Sequence, residues 1–158
     1  MRARIQGART FWALRSAERE IVRDAAVGLA VTWAGLRLLG FRRWKDLVIR
    51  RSEEPATLGS EASEPKIPAI RIRQLEGATA RNLFFATNCL EQSLVLWSLL
   101  RRRGFPADLK FGARKEAGRF EAHAWVELNG CALDSESDEH REFIPFEGAI
   151  ASVETQAK

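Results

Sequence analysis

Residues 120–134 read FEAHAWVELNGCALD, and this stretch decides the fold of the chain. Apolar and polar residues alternate over 120–128 with the two-residue period of a β-strand. Asn129-Gly130 is a strong signal for the two-residue turn of a β-hairpin, so Cys131–Asp134 is expected to return as the partner strand. With this turn Leu128 faces Cys131, and Trp125 faces Asp134. The stretch therefore predicts an antiparallel sheet.

The predicted register sorts the hairpin side chains onto two faces, because strand residues two apart share a face. The polar face carries His123, Trp125, Asp134 and Glu136. The other face is apolar and carries Ala122, Ala124, Val126, Leu128, Cys131 and Leu133. Cys131 is thus expected to be a core residue that lies away from His123.

A well-marked helix precedes the sheet and begins at Cys89. Asn88 and Glu91 have the spacing of a capping box, in which the cap side chain and the third helical residue bond reciprocally. The helix carries an apolar stripe formed by Leu90, Leu94, Trp97 and Leu100. Gly104 suits the left-handed residue that ends a helix, with Phe105 as its hydrophobic contact. This helix is expected to pack on the sheet, with Cys89 at its tip able to reach the polar face.

The remainder of the chain divides at a linker rich in proline and glutamate. Residues 10–51 have helical periodicity, and Gly40 is expected to separate a long first element from a shorter one over Phe41–Arg51. Another helix is predicted near Ala69–Ala86, and a first strand contains Leu109 and Phe111. The fold class is therefore α+β. Three regions are predicted: an N-terminal helical region (1–51), a linker (52–68) and a core (69–158).

The composition excludes several classes of protein. A hydrophobic content of 46% over 158 residues supports a packed core. Two cysteines do not make a disulfide framework, and zinc-ligand spacings are missing from the sequence, so neither a metal nor a cofactor is expected and a cytoplasmic location is predicted. The longest uncharged stretch, Ala25–Leu36, has 12 residues. A bilayer span needs about 20 residues, so no transmembrane segment is predicted.

The net charge of +4 conceals a strong asymmetry. Residues 1–51 carry 12 Lys or Arg and 4 Asp or Glu, whereas residues 115–158 carry 4 and 10. A basic half can indicate nucleic-acid binding. That function is not favoured here, because the arginines are spread along amphipathic helices and no nucleic-acid motif accompanies them. An acidic polypeptide partner matches the same surface equally well.

Cys89, His123 and Asp134 are the three residue types that form a catalytic site with a cysteine nucleophile. A cysteine at a helix N-terminus beside a histidine is the arrangement that favours a thiolate. His123 is predicted to be the general base and acid, and Asp134 to hold its ring in the correct tautomer. Glu136 is a rival for this third position, since it lies directly opposite His123 in the register. Taken singly, Cys89 could be an ordinary core residue and His123 an ordinary structural histidine.

Several short motifs resemble those of the lasso-peptide leader peptidases, which are transglutaminase-like cysteine proteases. They are Asn88-Cys89-Leu90, Ser93-Leu94, Leu100-Arg101-Arg102-Arg103-Gly104, Leu109-Lys110-Phe111-Gly112, Ala122-His123-Ala124-Trp125-Val126-Glu127, Gly130 and Leu133-Asp134. The resemblance is specific over about residues 69–146. It implies a papain/transglutaminase-type fold in which Cys89 is the nucleophile, His123 the base and Asp134 the third member.

The resemblance also implies a reaction and its partners. The expected reaction is removal of the leader from a ribosomally made lasso precursor peptide, shortly after a leader threonine in many members. Because the chain before the linker is helical, a leader-recognition protein is expected to act in trans, and a lasso cyclase would act next. The alternatives are a thiol-dependent acyltransferase or transglutaminase, and a non-catalytic leader- or partner-binding module. Papain-type enzymes use a Gln for the oxyanion hole, and here only Asn82, Asn88 and the more remote Gln74 are available.

Overall fold

The computed structural model describes residues 14–53, 67–116, 118–133 and 142–146. Within these ranges three helices precede four strands: α1 (Ser16–Glu53), α2 (Ala69–Asn82), α3 (Cys89–Arg101), β1 (Ala107–Glu116), β2 (Arg119–Leu128), β3 (Cys131–Ala132) and β4 (Ile144–Pro145). The strands form one antiparallel sheet in the order β3-β2-β1-β4. The predicted α+β class, with the Cys89 helix packed on an antiparallel sheet, is confirmed.

Helix α1 is kinked at Gly40, as the sequence predicted. Gly40 has φ 77° and ψ 165°, a backbone conformation that glycine adopts without the steric cost of a Cβ. A Cβ on Gly35 would lie 2.3 Å from the Trp44 ring. In a straight helix residues nine apart are separated by about 13.5 Å, so this contact requires the segment after Gly40 to fold back on the first.

Helix α2 ends earlier than predicted, at Asn82 instead of Ala86. Leu83 is already extended, with φ −68° and ψ 156°. The connection to α3 then places the Phe85 ring 5.3 Å from the Trp33 ring of α1. The chain after Asn82 thus runs along α1 instead of continuing the helix to Ala86.

Helix α3 has both of the ends that the sequence predicted. The backbone N–H of Glu91 donates to Asn88 Oδ1 at 3.0 Å, and the backbone N–H of Asn88 donates to Glu91 Oε2 at 2.9 Å. At the other end Gly104 has φ 83°, and the N–H of Phe105 donates to the Leu100 carbonyl at 3.1 Å. These bonds satisfy the end groups of the helix and so fix where Cys89 lies.

The β2–β3 hairpin has the predicted register, with Leu128 opposite Cys131. Asn129 and Gly130 both have positive φ, 52° and 76°, as a type I′ turn requires. The prediction that Cys131 is a core residue is wrong, because its side chain is exposed. Strand β3 has two residues at the edge of the sheet, and no described element covers Cys131 there.

One hydrophobic core joins all three helices to one face of the sheet. Ser93 Oγ donates to the Ala124 carbonyl at 2.8 Å, and Trp97 Nε1 donates to the Ala107 carbonyl at 3.0 Å. The buried members from the three helices include Ile21, Ala25, Leu29, Ile72, Leu75, Leu94, Val95, Leu96, Trp97, Leu99 and Leu100, and those from the sheet Ala107, Leu109 and Val126. The sheet face toward α3 is the one that the sequence predicted to be apolar.

Helix α1 also meets a criterion for membrane-spanning helices. Over Ser16–Ser52 it is long and apolar enough to cross a bilayer, by length and composition alone. Core helices of soluble proteins and N-terminal signal sequences meet the same criterion. In this fold Ile21, Ala25 and Leu29 of the helix are buried against the rest of the protein. The criterion therefore does not decide the location of the protein.

Candidate active site

Cys89 and His123 line the same cavity, which has a volume of about 180 Å³. Its other lining residues are Phe41, Leu90, Phe111, Gly112, Ala122, Ala124 and Phe146. Three of these are aromatic, and they come from α1, from β1 and from the residue after β4. The two residues that the sequence predicted as nucleophile and base are thus brought to one small apolar cavity.

Cys89 is the first residue of α3 and is half-buried. The first N–H groups of a helix have no partner within the helix, and the positive end of the helix dipole lies there. The Asn88 side chain satisfies the N–H of Glu91, whereas the N–H of Cys89 has no acceptor within the helix. The thiol and a possible hydrogen-bond donor for a substrate carbonyl therefore belong to one residue.

A buried carboxylate lies two residues after Cys89. Glu91 is only 1% exposed, and its Oε1 accepts a hydrogen bond from Arg37 Nη1 at 3.0 Å. The Arg37 guanidinium also lies 4.0 Å from the centre of the Trp33 ring and donates to the Trp33 carbonyl. Arg37 therefore neutralises the negative charge closest in sequence to Cys89, and it ties α1 to the cap of α3.

His123 lies on the sheet face opposite α3, together with Trp125 and Glu127. Its ring stacks on Trp125, with 6.1 Å between the ring centres and 14° between the planes. The ring of Phe143 lies 5.1 Å from the His123 ring. Trp125 is 1% exposed, so the face predicted as polar is in fact covered by aromatic rings around His123.

Gly112 is directly opposite His123 in the β1–β2 register. A Cβ at Gly112 would lie 2.8 Å from the Ile144 carbonyl oxygen, 3.0 Å from Trp125 Cη2 and 3.1 Å from Phe143 Cβ. These separations are shorter than ordinary van der Waals contacts. A glycine at this position therefore allows Trp125 and strand β4 to close over the sheet beside His123.

Cys89 and His123 approach the cavity from different sides of the sheet. Helix α3 packs on the apolar face, and His123 projects from the other face. The two residues still share a cavity because Cys89 is at the end of the helix. Ala124, from the α3 face, and His123, from the opposite face, both line the cavity there.

A cluster of ion pairs supports Phe143 against His123. Arg114 pairs with Glu121 at 2.7 Å, with Glu116 at 3.1 Å and with Glu142. Its guanidinium also lies 4.8 Å from the centre of the Phe143 ring. The hydrogen bond to Glu121 and the neighbouring carboxylates raise the pKa of Arg114. Sequence reasoning missed Phe143, because only the β1–β4 pairing brings it to the site.

The predicted third member of the triad, Asp134, lies outside the described residues, as does its rival Glu136. Asp134 and Glu136 therefore remain alternatives for orienting His123. The polar side chains considered for the oxyanion hole have other partners: Asn82 Nδ2 donates to the Ala78 carbonyl at 2.7 Å, Asn88 caps α3, and Gln74 accepts from Arg71. Within the described ranges no group of three His, Cys, Asp or Glu side chains could hold a metal ion.

Comparison with known proteins gives one match for this chain. A family model described as the transglutaminase-like superfamily matches residues 30–147, which is more than half of the 158 residues. Neither the curated proteins nor the solved structures gave a match. Members of the superfamily are generally cysteine peptidases or transglutaminases, both of which carry out acyl transfer on a cysteine. The matched range includes Cys89, His123 and the helix and strands that carry them, and the chain belongs to the transglutaminase-like superfamily.

Proposed function

We propose that this protein is a cysteine endopeptidase that removes the leader from a ribosomally made lasso precursor peptide. The observation that carries the proposal is the shared cavity of Cys89 and His123 in a chain of the transglutaminase-like superfamily. The sequence motifs around these two residues resemble those of the lasso-peptide leader peptidases. This resemblance supports a lasso precursor peptide as the substrate.

The size and the lining of the cavity suit a peptide substrate better than a coenzyme. At about 180 Å³ it is smaller than the cavities of roughly 300–1,000 Å³ that usually bind small molecules. Its walls are largely apolar, with Phe41, Phe111 and Phe146 among them. One apolar side chain next to the scissile bond is a suitable occupant.

The proposed reaction is acyl transfer in two steps. The Cys89 thiolate attacks the scissile carbonyl, and His123 protonates the departing amine of the core peptide. Water, deprotonated by His123, then attacks the thioester and releases the leader as a carboxylic acid. The N–H of Cys89 stabilises the oxyanion of both tetrahedral intermediates. Asp134 orients the His123 ring in this proposal.

The substrate is expected to arrive with help. Leader recognition is assigned to a separate protein acting in trans, and the freed core would pass to an ATP-consuming lasso cyclase. All of these steps belong to the cytoplasm in this proposal, where the thiol stays reduced.

Mass spectrometry of a candidate precursor peptide tests the proposal directly. The peptide is mixed with the protein, with and without a leader-recognition protein, beside Cys89→Ala and Cys131→Ser. Cleavage at one bond by the native protein and by Cys131→Ser, but not by Cys89→Ala, is the expected result. Cleavage by Cys89→Ala would refute the mechanism.

The same assay distinguishes the two candidates for the third position. Asp134→Asn is expected to reduce cleavage far more than Glu136→Gln, because a neutral amide neither fixes the tautomer of the neutral imidazole nor stabilises the imidazolium that forms during the reaction. The reverse order would assign the third position to Glu136. Each variant is compared at equal helical content by circular dichroism, so that loss of fold is not mistaken for loss of activity.

An acyltransferase or transglutaminase would use the same two residues with a different acceptor. Incubation with acyl-CoA or with amine donors, followed by mass spectrometry, distinguishes these activities from hydrolysis. A non-catalytic binding module would show neither product, and its Cys89 would be alkylated no faster than exposed Cys131 near neutral pH.

A further inference from the structure

A second and larger cavity lies on the other side of α3 from the sheet. It is a groove of about 680 Å³ between the two segments of α1 and the outer side of α3. The first segment contributes Val27 and Val31, the second contributes Leu47, and α3 contributes Val95 and Leu99. Val27, Val31 and Leu47 are 59%, 49% and 49% exposed, so the apolar lining is open to a partner.

Basic side chains border this groove. Arg50 and Arg51 from α1 and Arg102 from the end of α3 all line it and are exposed. Within the described part of the chain none of these three forms an ion pair. Asp24, the one carboxylate among the described lining residues, is already paired with Arg103 at 3.0 Å. The groove therefore combines an apolar lining with three arginines that no carboxylate of the described residues pairs.

This groove is separate from the cavity of Cys89 and His123, and among the described residues the two have no lining residue in common. Along α3 the groove begins at Leu94, five residues after Cys89. That spacing corresponds to about 7.5 Å along the helix axis. A polypeptide held in the groove would therefore be close to the cavity without entering it.

We propose that the groove binds an amphipathic segment of a partner polypeptide that carries acidic side chains on its polar face. Apolar side chains of the segment contact Val27, Val31 and Leu47, and its carboxylates pair with Arg50, Arg51 and Arg102. Charge complementarity selects this occupant over a symmetric pairing of two copies, because two identical grooves that face each other would bring like charges together. A concave groove is also a poor match for the flat surface of a membrane.

The proposal does not depend on peptide cleavage. If the chain is a leader peptidase, the groove holds the precursor or its recognition protein near Cys89 and lowers KM with little effect on kcat. If the cleavage proposal fails, binding of an acidic segment is still measurable. Failure of one proposal is therefore distinguishable from failure of the other.

Fluorescence anisotropy with two designed peptides tests the groove. One labelled peptide has leucines at helical i, i+3, i+4 and i+7 spacing with glutamates elsewhere, and the second has lysines in place of the glutamates. The full chain is expected to bind the glutamate peptide at least tenfold more tightly than the lysine peptide, with affinity falling as salt increases.

Two groove variants and one matched control are then compared. The double variant Arg50→Glu/Arg51→Glu and the variant Val31→Asp are each expected to weaken binding of the glutamate peptide at least tenfold. Arg119→Glu changes an exposed arginine of the sheet and is expected to bind like the native chain. All three should keep the native circular dichroism spectrum and the native rate of Cys89 alkylation, which excludes unfolding as the cause.

Four results would overturn the proposal. The first is that the chain does not bind the glutamate peptide, and the second is that it binds both peptides equally well. The third is that both groove variants bind the glutamate peptide with native affinity. The fourth is that the chain binds vesicles of phosphatidylcholine and phosphatidylserine but not the glutamate peptide. Sedimentation supplies a further check, since a dimer of the native chain that Val31→Asp dissociates would assign the groove to a second copy.

Discussion

Replacing Arg37 with methionine should destabilise the protein through Glu91, a residue 54 positions away in sequence. The Arg37 guanidinium supplies the positive charge that pairs with the buried Glu91 carboxylate at 3.0 Å. Methionine keeps an apolar side chain at this position and removes the guanidinium, with its charge, its hydrogen bonds and its contact with the Trp33 ring. The Glu91 carboxylate would then remain buried with its backbone partner at Asn88 and without a counter-charge.

The size of the effect follows from the exposure of the two partners. Truncating one member of a fully buried ion pair costs about 3–5 kcal/mol, and an exposed pair contributes about 0–1 kcal/mol. The Glu91 side chain is 2% exposed, but that of Arg37 is 51% exposed, so solvent screens part of the interaction. The retained hydrogen bond from Asn88, at 2.9 Å, limits the loss further. The expected loss is about 2 kcal/mol, or about 4–8 °C in Tm for a chain of this size.

Thermal and urea unfolding of a double-mutant cycle measures this coupling. The cycle consists of the native chain, Arg37→Met, Glu91→Gln and the double variant. The double variant should lose less unfolding free energy than the two single variants lose together. The reason is that the neutral amide that replaces the Glu91 carboxylate needs no counter-charge. Arg43→Met is the matched control, since Arg43 is an exposed arginine of the same helix without an ion pair among the described residues.

A comparison of Tm between Arg37→Met and Arg43→Met tests whether the ion pair matters. If Arg37→Met lowers Tm no more than Arg43→Met, the Arg37–Glu91 pair does not stabilise the cap of α3. A coupling energy below about 0.5 kcal/mol in the cycle would lead to the same conclusion.

Three further changes have expected outcomes. Hydrogen bonds from the Arg15 N–H and from Arg71 lower the pKa of Glu18 in the folded protein. The ionised Glu18 therefore stabilises the fold fully above the ordinary carboxyl pKa of 4.5. This stabilisation is lost as the pH falls through the lower pKa of the folded state. Glu18→Gln should therefore lose stability relative to the native chain above that pH, with the difference vanishing in acid, as urea unfolding across this range would test. Gly112→Ala should cost about 1–3 kcal/mol in urea unfolding, because its Cβ would meet the β4 backbone at 2.8 Å, and a native midpoint would contradict that packing. Cys131→Ser should change stability by less than about 0.5 kcal/mol, since the side chain is exposed, and a larger loss would mean that this cysteine is covered.

The features that the sequence predicted correctly depend on neighbours a few residues apart. The capping box of α3 needs Asn88 and Glu91 only, and its C-terminal end needs Gly104 and the next residue. The hairpin register follows from Asn129-Gly130, because a two-residue turn leaves no freedom in which residues pair. Local signals of this kind placed Cys89 at a helix start and His123 on a strand.

The features that were missed depend on residues far apart in sequence. The contact of Phe143 with His123 arises from pairing of β4 with β1, and β4 has only two residues and no periodic pattern. The Arg37 partner of Glu91 comes from another helix. Cys131 was placed in the core from alternation alone, although alternation assigns a face and does not reveal whether another element covers that face.

The packing of α1 against the other helices has a consequence for how this protein can be built. Ile21 and Leu29 share the core with residues of α2 and α3, and Ser52 Oγ lies 2.8 Å from Ser98 Oγ. Buried contacts of this kind hold two pieces of a chain together after the peptide bond between them is cut. Residues 1–53 and 67–158 should therefore reassociate when they are produced as two separate polypeptides. The native fold would then be recovered by fragment complementation, without the acidic connection that normally joins them.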